Sequence, residues 1–82
     1  VQIVSSGGDV TLTSNPQISS EASDENGKLM VIRGTSDTDR VELVNGNGLK
    51  LANGISFLMG LDDTLTLMFN GTVWVEVSRV DN

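Results

Sequence analysis

Short apolar runs separated by polar turns make up this chain, and most of the runs alternate with period two. Val10-Thr11-Leu12-Thr13 opens the series, and the continuous run Leu29-Met30-Val31-Ile32 follows it. Beyond these, Val41 and Leu43 fall on one side of a strand with Glu42 on the other, and Leu49 shares a face with Leu51. Ile55 and Phe57, then Leu65, Leu67 and Phe69, repeat the pattern. In the final run Val73, Val75 and Val77 form one face, leaving Trp74 and Glu76 opposite. Successive side chains of a strand point to opposite faces, so this pattern predicts strands whose alternate residues build the core. The continuous run at 29–32 predicts a strand covered on both faces.

Between the runs, Asn-Gly occurs at 26–27, 45–46, 47–48, 53–54 and 70–71. This dipeptide supplies the positive φ angles of a tight reversal, so hairpins are expected and helices have little room. Asn15-Pro16 ends the first strand, because proline cannot donate to a central ladder. The polar stretch 19–26 reads as a surface loop. The expected fold is all-β, with short antiparallel strands joined by tight Asn-Gly turns. Their spacing fits a β-sandwich, a barrel or a β-prism. Residues 1–7 read as a connector from an upstream region and 8–82 as a single domain.

Composition narrows the chemistry. The 82 residues include no histidine, cysteine or tyrosine. Disulfides, zinc sites built on thiolate or imidazole, and histidine-dependent triads are therefore excluded. A chain this short must draw its stability from good packing or from partner subunits. The net charge of −6 disfavours nucleic acid and anionic membranes. No run approaches the roughly 20 apolar residues of a membrane-spanning helix. Leu58, Met59, Met68 and Trp74 fall beside or opposite the core faces, and a monomer would expose several of them. Burial against neighbouring copies would cover them and protect the sheet edges. A homo-oligomer is expected, with Leu58, Met68 and Trp74 at its interface.

Asp37 with Asp39, and Asp62 with Asp63, are the carboxylate pairs to weigh as ligands for hard cations. No twelve-residue calcium loop surrounds them, and both pairs fit turns whose side chains accept local backbone hydrogen bonds. No metal, cofactor or catalytic residue is expected, and the chain reads as a non-enzyme. Trp74 has two readings. It seals a subunit interface, or with Glu76 and Arg79 it forms a small-ligand platform, indole against a sugar and polar groups on its hydroxyls. Asn70-Gly71-Thr72 matches a glycosylation sequon but is read as a strand-to-strand turn.

The stretches 45–51 (Asn-Gly-Asn-Gly-Leu-Lys-Leu), 62–67 (Asp-Asp-Thr-Leu-Thr-Leu) and 69–79, with its tryptophan-containing end, resemble the C-terminal domains of phage tail fibres and related viral spikes. The resemblance implies an intertwined β-rich homotrimer, a β-prism or sandwich-like assembly, closing the distal end of a fibre on a virion. It also implies contact with a host-surface glycan or protein receptor. A monomeric carbohydrate-binding or adhesion module is the alternative, and its mark would be Leu58, Met68 and Trp74 covered within one chain.

Overall fold

The computed structural model describes residues 2–14, 17–18 and 27–82. The Asn15-Pro16 break and the polar loop at 19–26 lie outside the described residues. Among the described residues eight strands form, β1 (Gln2–Ile3), β2 (Val10–Thr11), β3 (Leu29–Gly34), β4 (Val41–Leu43), β5 (Leu49–Lys50), β6 (Phe57–Met59), β7 (Thr64–Phe69) and β8 (Trp74–Val80). The helical content among the described residues is one 3-10 turn, Ala52–Gly54. The fold is all-β. Within the segment read as a connector, Gln2 and Ile3 pair with Arg33 and Gly34 and so join the fold.

Two sheets share the strands in an alternating way. The larger has the order β1-β3-β7-β8-β5, the smaller β2-β4-β6. From β1 to β7 the chain therefore changes sheet at each step, and β7–β8 is the hairpin that stays in one sheet. This departs from the all-antiparallel expectation: β1 runs parallel to β3, β2 to β4 and β5 to β8. The physical reason is the alternation itself. Consecutive strands fall in different sheets, so a strand meets a neighbour two or more elements away, and either direction is open to it.

The turns show the same logic. Asn47 and Gly48 have φ of 48° and 88°, both positive as a two-residue type I′ loop requires. Around them Gly46 and Leu49 exchange N–H···O bonds of 2.9 and 3.0 Å. That tight loop carries the chain from the smaller sheet into the larger one. Gly34 answers a different need. A Cβ there would overlap the carbonyl oxygen of Gly60, because the end of β3 lies against the turn entering β7.

One continuous cluster fills the interior. Ile32, Leu49, Leu65, Leu67, Phe69 and Trp74 come from the larger sheet, Leu43, Phe57 and Met59 from the smaller, and Leu51 from between strands. Leu65 and Leu67, on the central strand β7, are fully buried. Val41 is buried as well.

Candidate functional site

β8 is where the sequence pattern and the structure part. Strict alternation places Val73, Val75 and Val77 inward; instead Trp74 is 1% exposed, Val73 and Val75 are half-buried and Val77 is 56% exposed. Two facts explain the inversion. The largest aromatic in the chain buries more apolar surface than a valine, and Trp74 packs against Phe69, with ring centroids 5.3 Å apart. The ladder then breaks its register between Thr66 and Leu67: Leu67 pairs with Glu76 and Thr66 with Ser78, leaving Val77 as the extra residue of a β-bulge. Ile55, also expected in the core, is 58% exposed because it sits on the loop after the 3-10 turn, outside any strand.

The bulge has a chemical result. Residues 76 and 79 would lie on opposite faces of a regular strand; the inserted Val77 turns both inward. The Arg79 guanidinium donates from Nε to Glu76 Oε2 at 2.9 Å and from Nη2 to Glu76 Oε1 at 2.7 Å. It also donates to the carbonyls of Ile55 and Ser56 at 2.7 and 3.2 Å, and lies 4.7 Å from the centroid of the Phe57 ring. Glu76 Oε1 accepts the Ala52 N–H at 3.1 Å. The Glu76 side chain is only 3% exposed. The paired guanidinium holds the Glu76 carboxyl below its ordinary range, with the Ala52 N–H adding to it, and the carboxylate raises the Arg79 pKa in turn.

The proposed ligand trio is thus divided. Glu76 and Arg79 come together, but as a clamp tying β8 to the 52–57 loop, with the guanidinium already matched to acceptors. Trp74 is buried and offers no face to a sugar. Its Nε1–H has no hydrogen-bond partner among the described residues. Phe57 and Phe69 are buried too, so each of the three aromatic side chains lies inside.

The carboxylates are spread over separate structural tasks. Asp63, 3% exposed, accepts from the N–H groups of Gly60 at 2.7 Å and Asn82 at 2.8 Å. Asp37 accepts the Leu61 N–H at 2.9 Å and Asp39 that of Gly8 at 2.8 Å, while Asp62 pairs with Arg33 at 3.2 Å. Asp9, outside the sequence-derived candidates, takes Arg40 through both oxygens and also its backbone N–H. The side-chain hydrogen bonds to Arg40 come first in lowering the Asp9 pKa. Among the described residues no three acidic side chains converge as a metal site. Asn70 Oδ1 accepts from the N–H groups of Thr72 and Val73, both at 2.9 Å, which organises the β7–β8 turn.

What remains is a surface. On β3, Met30, Ile32 and Gly34 turn inward, and Leu29, Val31 and Arg33 outward. Cross-strand register then lays Leu29, Met68 and Val75 in one row, with Lys50 beside Val75. The next row holds Val31, Thr66 and Ser78 with the bulged Val77, and the last Gln2, Arg33, Thr64 and Val80. Leu29 is 61% exposed, Val31 50%, Val77 56% and Val80 49%. Met68, expected at an interface, belongs to this face; Leu58 is half-buried on the other sheet, opposite Glu42. The run at 29–32, expected to be covered on both faces, leaves Leu29 and Val31 exposed on this one, and Val80 joins them with no signal in the sequence pattern. No family model, curated protein or solved structure matches the chain.

Proposed function

We propose that this chain is a structural, non-catalytic β module that assembles with copies of itself through the outer face of the larger sheet. One observation carries the reading: the rows of that face join Leu29, Val31, Met68, Val75, Val77 and Val80 and, among the described residues, contain no acidic residue, with Asp62 meeting the face at Arg33, in a chain of net charge −6. Contiguous apolar surface of this kind is a hallmark of interaction sites. An alternating strand that is apolar on both sides, like β3, is built for cover on both. Like charges would oppose the self-association of so acidic a chain, and a face whose rows hold Lys50 and Arg33 but no acidic residue among the described residues lowers the obstacle locally.

The specific form suggested by the resemblance of 45–51, 62–67 and 69–79 is a homotrimer capping the distal end of a viral fibre, with a host-surface receptor as its further partner. A monomeric adhesion module is the second reading, favoured by the burial of Trp74 within one chain. A sugar-stacking version of it is not favoured, since no aromatic ring faces solvent.

Light scattering across a dilution series tests the proposal. A persistent multiple of the chain mass is expected, threefold for the fibre-cap form, and Leu29→Glu with Met68→Glu should reduce it to the monomer while the fold stays intact. A wild-type monomer at every concentration overturns self-assembly. An oligomer that the double variant leaves unchanged overturns the assignment to this face.

A further inference from the structure

The five Asn-Gly pairs are equivalent in sequence and sharply unequal in structure. In this dipeptide the glycine backbone nitrogen attacks the asparagine Cγ. The Cγ–Nδ2 bond breaks, ammonia leaves, and the resulting succinimide adds water to open as aspartate or isoaspartate. The step needs a glycine N–H that is not donated elsewhere and an asparagine amide free to turn towards it.

Three pairs lack the first requirement. The N–H of Gly27 donates to Phe69 O at 2.6 Å, that of Gly46 to Leu49 O at 2.9 Å, and that of Gly54 to Leu51 O at 3.0 Å. The amide of Asn45 is also held, its Oδ1 accepting the Leu51 N–H at 2.9 Å. At 70–71 the second requirement fails, because Asn70 Oδ1 is held by both Thr72 and Val73. At 47–48 neither group is held among the described residues: the exposed Asn47 side chain has no hydrogen bond there, and the Gly48 N–H has no acceptor.

We infer that Asn47-Gly48 is a self-modification site of the folded chain, where water converts Asn47 to aspartate and isoaspartate ahead of the other four pairs. The product changes the structure it arises in. Isoaspartate adds a methylene to the backbone of a two-residue loop, so the paired Gly46–Leu49 hydrogen bonds lose their geometry. It also disturbs the Gln17 N–H bond to Asn47 O at 2.9 Å and the Trp74 N–H bond to Gly48 O at 3.0 Å. Each event adds one negative charge beside the crossing between the two sheets.

The experiment is peptide mapping by mass spectrometry, with aspartate and isoaspartate products separated, after timed incubation of the native chain in mildly alkaline buffer. A second sample is incubated in denaturant. In the native sample Asn47 should convert at least about fivefold faster than any other pair, the factor that about 1 kcal/mol for one hydrogen bond to be broken corresponds to. In denaturant the preference should vanish. Earlier conversion at another pair in the native chain, or the same preference in denaturant, overturns the inference.

Discussion

Replacing Glu76 by glutamine tests whether the bulge-built clamp holds β8 to the 52–57 loop. Glutamine keeps the shape of the side chain but loses the charge and one of the two acceptor oxygens facing Arg79. The pair lies between two limits. Exposed ion pairs contribute about 0–1 kcal/mol, and breaking a buried pair costs about 3–5 kcal/mol because a charge is stranded. Glu76 is 3% exposed and Arg79 24%, which argues for the upper part of that range. Arg79 nevertheless keeps the carbonyls of Ile55 and Ser56 and the Phe57 ring, so its charge is not stranded. The expected loss is about 2 kcal/mol, near the value of one hydrogen bond to a charged group. For a domain of this size that is a fall in Tm of about 8–16 °C. The pH dependence supplies a second reading. The folded-state pKa of Glu76 is lowered, so its stabilisation is complete above the unfolded carboxylate value of about 4.3 and is lost as pH falls through the folded value. The gap between wild type and Glu76→Gln should therefore be full at neutral pH and close in acid. Urea unfolding at a series of pH values measures both. A variant within about 0.5 kcal/mol of wild type at neutral pH, the range of an ordinary surface substitution, would refute the clamp. So would a gap that stays constant into acid.

Substitutions at two further positions probe the packing. Trp74→Ala should cost about 3–5 kcal/mol, whereas Trp74→Phe, which keeps a ring against Phe69 and removes the unpaired Nε1–H, should cost less than half as much; equal losses in thermal unfolding would show that the indole N–H is paired after all. Since Trp74 is the single tryptophan of the chain, its fluorescence should be blue-shifted when folded and move to the red on unfolding. Gly34→Ala forces a methyl against the Gly60 carbonyl and should destabilise by about 1–3 kcal/mol, as overpacking does; an unchanged unfolding midpoint would mean that the β3 end and the turn are not in contact.

The sequence by itself determined that the chain is all-β, and it marked much of the core. Val41, Leu43, Leu49, Leu51, Phe57, Leu65, Leu67 and Phe69 alternate locally, and local alternation survives wherever a strand is regular. The Asn-Gly pairs likewise marked changes of direction, because positive φ is a property of the residue and its neighbour. Which strand meets which was decided only in three dimensions. A turn signal is the same whether the chain returns along the strand it left or crosses to the other sheet, so the parallel pairings of β1, β2 and β5 left no mark. β8 shows the limit most sharply. Valine and tryptophan are both good strand residues, and only packing against Phe69 chose which faced inward. No local cue announced the extra residue at Val77, since a bulge is a mismatch between two strands and neither contains it alone. That mismatch brought Glu76 and Arg79 together, and the sheet assembled around it joined Leu29, Met68 and Val80, far apart in the chain, into one exposed face.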